Sequence, residues 1–241
     1  MRTCPVCSNR FPNFYPMGRG HLEIANRLNV FHSADDFETL NIGQYSCPEC
    51  SASDRDRLYA LYAMHLLNNP PDKELRILDI APAAVLSSFL RSLPKARYRS
   101  ADLYSPLADD IVDIMDMHIY AAESFDLIVC SHVLEHVRDD RKAMSELFRV
   151  LARNGSAILM VPILLQATHT DEDPDEKSVD ERWARFGQDD HVRLYSKNDF
   201  ISRLKQSGFE IDALSSQAFG EGVFRQHGIT ERSVLYIGRK P

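Results

Sequence analysis

Residues 125 to 162 read FDLIVCSHVLEHVRDDRKAMSELFRVLARNGSAILMVP, from Phe125 to Pro162, and three changes of pattern within them decide the fold. Phe125 to Val129 is a short apolar run with β-branched content, long enough for a strand buried on both faces and too short for a helix. Beyond SHVLEH, the residues Ala143, Met144, Leu147, Phe148 and Leu151 recur at helical spacing and form one apolar stripe. Asn154-Gly155 is expected to stop that helix, because glycine tolerates the left-handed conformation of a helix end. Ser156 to Val161 then reads as a second strand. Strand, helix and strand in so few residues make a right-handed crossover, with both strands parallel in one sheet.

The flanking sequence extends that sheet. Leu75 to Ile80 reads as its first strand, Ala83 to Leu93 as a helix, Tyr98 to Asp102 as the second strand and Ile111 to Asp113 as a short third. Downstream, Leu164 to Tyr195 is polar and too long for a routine connection, so it is expected to be a lid or a disordered insert. Ser196 is placed to cap a helix from Asn198 to Gln206, ended by Gly208. Phe209 to Leu214 and Val234 to Gly238 are the last strands; joined by a loop without a convincing helix, they should be antiparallel, with the final strand at or near the sheet edge. Upstream, Ser53 or Asp54 can cap a helix to about Asn69, with Leu58, Leu61, Tyr62, His65 and Leu66 on one face and Pro70-Pro71 as its stop.

Composition narrows the class. The 241 residues are 44% hydrophobic, enough for a core of ordinary size. A net charge of −7 and a pI near 5.7 disfavour a phosphate backbone as partner, and residues 1 to 57 are themselves near neutral, so nucleic acid is not expected. The longest apolar runs are strand-length, far short of the ~18 residues of a membrane span. MRTCPVC lacks the apolar core of a secretion signal, and a cytoplasmic location is expected.

Cys4-Pro-Val-Cys7 and Cys47-Pro-Glu-Cys50 are two CxxC pairs, each able to present two thiolates from one tight turn to a tetrahedral zinc. Together they complete a closed four-sulfur site, although His21 or His32 could replace a sulfur, and redox dithiols or disulfides are the competing reading. Such a zinc has no open position, so its expected role is to fold a segment too small for a core of its own.

FDLIVCSHVLEHV, a helix ending in RVL, then NG and a strand ending in VP resemble the fourth strand, following helix and fifth strand of class I S-adenosylmethionine-dependent methyltransferases of the type 11-like group. HVLEH, the FGQ-DHVRLY run and an Ala-Pro turn in place of glycines are also similar to bacterial methyltransferases with a cysteine-bearing N-terminal module. The resemblance implies an α/β fold: a Rossmann-like, mostly parallel seven-stranded sheet with an antiparallel last strand over residues 58–241. A zinc-ribbon-like module would occupy residues 1–57, with 164–195 as lid.

It also implies a cofactor site. Asp79 would contact the methionine amine of S-adenosylmethionine directly or through water, and Ala81 and Ala83 stand where the family carries glycines, flanking Pro82. Asp102 corresponds to the acid that takes the ribose hydroxyls, with Leu103 beside it; a turn-capping Asp is the alternative. Asp113 aligns with the acid at the adenine amino group, next to the Ile114 backbone, while Asp116 is expected to cap a short helix. Ser131 closes the site. His132 is the first candidate for a catalytic base or, alternatively, only shapes the pocket or starts the helix, with His136 one helical turn on as packed structure, and His191 is the second candidate. His132 and His136 share HxxxH spacing, but no Glu directly follows His132 and a metal there is discounted. After the acidic run of residues 171 to 181, Trp183, Phe186, Arg193 and Tyr195 are either a substrate-facing lid wall or packing that seats the lid. The implied reaction is methyl transfer to oxygen or nitrogen of a small-molecule or glycan-like acceptor. The alternatives are an RNA or protein methyltransferase, or a binding protein with a degenerate pocket.

Overall fold

The computed structural model describes residues 1–18, 32–67 and 74–241. His21 and the Pro70-Pro71 stop lie outside the described residues. In chain order the elements are β1 (Arg2–Thr3), β2 (Arg10–Phe11), α1 (Asp54–Leu67), β3 (Leu75–Ile80), α2 (Ala84–Ser92), β4 (Ala96–Asp102), β5 (Asp110–Ile111) and β6 (Phe125–Ser131). There follow α3 (Asp140–Val150), β7 (Leu151–Met160), β8 (Asp171–Glu172), α4 (Val179–Phe186), β9 (Arg193–Leu194), α5 (Lys197–Gln206), β10 (Glu210–Leu214), α6 (Ser216–Phe219), α7 (Val223–Gln226) and β11 (Leu235–Arg239).

Among the described residues the main sheet has seven strands in the order β10-β11-β7-β6-β3-β4-β5. β7, β6, β3, β4 and β5 run parallel, and β11 is antiparallel to both neighbours. That is the expected fold class. β3 and β6 lie at the centre, where Ile77, Leu78, Leu127, Ile128 and Val129 are fully enclosed. α1 packs beside α2, and α3 beside α5, so helices cover the parallel strands. None of the described helices is long and apolar enough to cross a membrane.

Three local expectations are corrected. α3 ends at Val150 and Leu151 turns straight into extended backbone, so the helix stops without a left-handed cap. Asn154-Gly155 instead forms an irregularity inside β7: pairing with β6 jumps from Phe125 opposite Leu151 to Leu127 opposite Ser156, and Asn154 has φ +60°. A Cβ at Gly155 would stand 2.8 Å from the Ala152 carbonyl, so the backbone itself fills that space. Secondly, SHVLEH is not the start of a helix. His132 to Asp139 form a turn that opens with His132 at φ +57°, and the helix begins only at Asp140. Thirdly, α6 and α7 occupy the connection between β10 and β11, where the sequence suggests a bare loop.

Residues 164–195 are ordered rather than disordered, with β8 paired antiparallel to β9 and α4 between them. Asp140 receives hydrogen bonds from the Tyr195 hydroxyl at 2.6 Å and from Arg203 at 2.8 Å, and Arg203 also meets Glu172 at 2.9 Å. Arg193 is fully buried and donates to the carbonyls of Leu134, Val137 and Arg138. A buried guanidinium matched to oxygens in this way is costly to remove, and it ties β9 to the turn after β6.

Among the described residues, the N-terminal segment has a small core of its own, made of Cys4, Phe11, Phe14, Cys47 and Ala52. Arg57, in the first turn of α1, is wholly buried. It donates to the carbonyls of Gln44, Tyr45 and Ala52 within that segment and to those of His227 and Gly228 after α7, with its guanidinium 3.7 Å from the Phe14 ring centre. Gly228, at φ +66°, lies so close to Phe14 that a Cβ would be 2.2 Å from the ring. At the start of α1, Ser53 Oγ accepts from Asp56 N and Asp56 accepts from Ser53 N, a reciprocal cap. Ser196 stands at the start of α5 as expected, but its hydroxyl makes no capping bond.

Candidate active site

The carboxyl ends of β3, β4 and β6 point to one edge of the sheet, where open α/β sheets bind ligands. Asp79, near the end of β3, is buried and accepts from the Tyr98 hydroxyl of β4 at 2.7 Å and from Ser87 of α2 at 3.0 Å. Burial pushes its carboxyl up to about 6, although those two hydrogen bonds oppose the shift. The next turn carries Ala81 at φ +50°, with its amide donating to Ala101 O. A glycine would take that conformation freely; alanine holds it at a cost of roughly 1–2 kcal/mol. Ala83 precedes α2 in extended conformation without a side-chain cap.

A cleft of about 370 Å³ opens here, lined by Asp79, Ala81, Ala83, Ser131 and His132 from the sheet side. Its other wall is one that the sequence reading misses: Tyr45, Ser53, Arg55, Asp56 and Tyr59 come from the N-terminal segment and α1. Tyr59 Oη lies 2.7 Å from Ser131 Oγ and links that wall to β6. Arg55 and Tyr59 are four residues apart and share a helix face at the edge of the stripe that carries Tyr62 and Leu66, and that spacing is the signal for a polar group beside the stripe.

His132 enters the cleft because its left-handed backbone turns the chain away from the sheet, while its amide still donates to Met160 O at 2.8 Å. Its Nδ1 is 3.1 Å from Glu135 Oε1. Burial, followed by the positive charge of Arg55, pushes the imidazole down to about 4 against the pull of Glu135. Burial alone would raise the Glu135 carboxyl, but the His132 hydrogen bond and the neighbouring imidazoles leave it below the usual carboxylate range. His191 is not in the cleft. It is buried behind Glu135, its Nδ1 3.0 Å from Phe186 O and its Nε2 4.0 Å from Glu135 Oε1.

The other expected cofactor positions sit along the same edge, outside this cleft. Asp102 ends β4, and its Oδ1 accepts from the amides of Tyr104 and Ser105, the turn-capping role; Oδ2 takes no hydrogen bond among the described residues. Leu103 is half exposed. Asp113 accepts from Met115 N at 2.8 Å, and Ile114 is buried. Asp116 caps no helix; it meets His118. Trp183, Phe186, Arg193 and Tyr195 are all buried and none lines the cleft.

The four N-terminal cysteines come together. Cys4 to Cys50 and Cys7 to Cys47 are each 3.8 Å between sulfurs, and all four sulfurs lie within 4.8 Å of one another. Ligand sulfurs at about 2.3 Å from a tetrahedral ion stand about 3.8 Å apart. A disulfide requires about 2.0 Å, and all of these cysteines are free. The two turns repeat one geometry: Ser8 N donates to Cys4 O and Ser51 N to Cys47 O, with Ser8 at φ +63° and Ser51 at φ +64°. His32 packs edge-on against Phe37 and is not part of the cluster.

Residues 52–214 match the methyltransferase-domain family. The chain belongs to that family. The matched stretch of this methyltransferase domain begins before the expected boundary at residue 58 and takes in α1 with Arg55, Asp56 and Tyr59. Over 77 residues it is 36% identical to ajmaline N-methyltransferase of Rauvolfia serpentina, an alignment that spans 32% of the present chain and 24% of that enzyme. The carbon methyltransferase CurJ shares the fold, with a TM-score of 0.50 at 14% identity over 76% of this chain and 53% of that one. The YcgJ protein of Bacillus subtilis aligns with a TM-score of 0.48 at 14% identity, over 76% of this chain and 99% of its own.

Proposed function

We propose that this domain transfers a methyl group from S-adenosylmethionine to an oxygen or nitrogen of a small-molecule or glycan-like acceptor. The observation that supports it most is the cleft that places Asp79, the Ala81 turn, Ser131 and His132 together at the carboxyl ends of β3 and β6. Asp79 would bind the ammonium of the donor, and the close-approach turn at Ala81 and Ala83 would pass beside its methionine half. Asp102, through its free Oδ2, would accept from the ribose hydroxyls next to Leu103. Asp113 and the Ile114 backbone would meet the adenine.

When bound, S-adenosylmethionine supplies an electrophilic methyl on its sulfonium. The chain's part is to orient the acceptor against that methyl and to take its proton. His132 has the geometry to take the proton, since Nδ1 is held by Glu135 and Nε2 is left for the acceptor. His191 is separated from the cleft by Glu135, so we assign the base to His132 alone. Trp183, Phe186, Arg193 and Tyr195 would act by seating residues 164–195. Cys4, Cys7, Cys47 and Cys50 would hold a structural zinc, in keeping with a reducing cytoplasmic setting.

A small acceptor is favoured by the negative net charge, by the modest cleft and by ajmaline N-methyltransferase among the relatives. The test is formation of the demethylated cofactor from S-adenosylmethionine with panels of small amines, hydroxyl compounds and sugars, beside RNA and protein fractions. Turnover is expected with a small acceptor, falling by on the order of 10²-fold or more in His132→Ala while donor affinity is nearly kept. Turnover confined to RNA or protein, or unchanged by His132→Ala, would overturn the assignment.

A further inference from the structure

Behind His132, on the side away from the cleft, Glu135, His136 and His191 bring three donor atoms within 4.8 Å of one another. They come from distant parts of the chain: the turn after β6 and the end of the 164–195 segment. Glu135 is completely buried. One of its oxygens meets His132, and Oε2 has no hydrogen-bond partner among the described residues. A buried carboxylate oxygen left unpaired is costly, and native proteins rarely keep one without reason.

The two imidazoles do not relieve it. His191 turns Nδ1 to the Phe186 carbonyl at 3.0 Å, which can only accept, so that nitrogen carries the hydrogen and Nε2 carries the lone pair. This lone pair faces Glu135 Oε1 at 4.0 Å. His136 directs Nδ1 to the exposed Asp190 carboxylate at 3.2 Å, which likewise leaves Nε2 as its acceptor nitrogen. The rings meet edge to face with centres 4.7 Å apart. The Glu135 carboxylate and the lone pair of His191 Nε2 thus face each other, with His136 offering a third ligand atom within 4.8 Å, an arrangement that is unfavourable until a cation stands between them. The outer bonds repeat what surrounds metal-bound histidines, where the second ring nitrogen donates to a carbonyl or a carboxylate and fixes the tautomer.

We propose that Glu135, His136 and His191 form a binding site for a divalent transition-metal cation, separate from the four-cysteine cluster. Two imidazoles and one carboxylate suit iron, manganese, cobalt or zinc. Ligands on opposite sides of such an ion are about 4.2 Å apart and adjacent ones about 3 Å, so the donors draw inward by up to about 1 Å on loading. His136, 29% exposed at the surface, has the freedom to do so and gives the ion its route in. Three protein ligands leave coordination positions open, and the ion would sit one hydrogen bond from the His132 ring through Glu135.

The test uses the full-length protein with its cysteine cluster loaded with zinc, titrated with manganese(II) and followed by calorimetry and by loss of the free-ion paramagnetic resonance signal. Manganese prefers nitrogen and oxygen donors, so the thiolate cluster does not compete. One equivalent is expected to bind, with affinity falling at least 10-fold in His136→Ala and in Glu135→Gln. His136→Ala keeps the reading decisive should the buried Glu135 variant fail to fold. No saturable binding of manganese or of a second zinc equivalent, or binding unchanged in folded His136→Ala, would overturn the proposal. Neither outcome depends on the methyl donor, so failure here leaves the reading of the cleft standing.

Discussion

In the proposed role, holding an ammonium, Asp79 would be ionised in a place where burial favours its neutral form. Its folded value of about 6 lies above the ordinary 3.8, so between those values the folded protein holds a proton that the unfolded chain has released. Stability therefore falls as pH rises from about 4 to about 6 and stays lower above that, by an amount on the order of 2–3 kcal/mol at most. Asp79→Asn removes the penalty. Scanning calorimetry of the ligand-free protein should show its melting temperature raised at pH 7.5, by roughly 2–4 °C for each kcal/mol recovered, and nearly unchanged at pH 4. An equal change at both pH values would mean that the carboxyl is not held neutral by burial. That Asp79, Ser131 and His132 would line one cleft is legible because strand ends in a parallel sheet face one edge. Glu135 is not: reading LEH as helix hides a turn whose left-handed first residue swings Glu135 beneath His132. Trp183, Phe186 and Tyr195 show the converse, since an aromatic side chain reads the same in a cleft wall and in a core.

At the scale of elements, strands β3 and β6 are plain from short apolar runs, but Asn154-Gly155 carries the same signal for a helix stop and for a strand irregularity. Only the pairing of β7 with β6 separates the two. Likewise, the acidic 171–181 run reads as solvated loop until Arg185 and Arg203, distant in sequence, neutralise Asp171 and Glu172. α1 is the element whose role the sequence understates, because it ties the cysteine segment to the cleft through Arg57 and Tyr59. Among the described residues the core of that segment has five members, and the proposed zinc would cross-link it. Metal analysis should accordingly find a thiolate-bound zinc in the wild type that is missing in Cys50→Ser. Hydrogen exchange over residues 44–60 should quicken in the same variant as α1 loosens. Retention of zinc in Cys50→Ser, or exchange unaltered after its loss, would separate the cluster from the folding of that segment.

For the whole molecule, the sheet order with its reversed β11, the cleft at the carboxyl edge and the family match over residues 52–214 converge on one ligand. The Ala81-Pro82-Ala83 turn, strained where a glycine would be relaxed, must admit it. Calorimetry of the folded chain with S-adenosylmethionine and with its demethylated product tests that most directly. One saturable site per chain is expected for both, weakened in Asp102→Ala by on the order of 1.5–3 kcal/mol, the worth of hydrogen bonds to a charged group. No binding by the folded wild type, or the same affinity in Asp102→Ala, would contradict this reading.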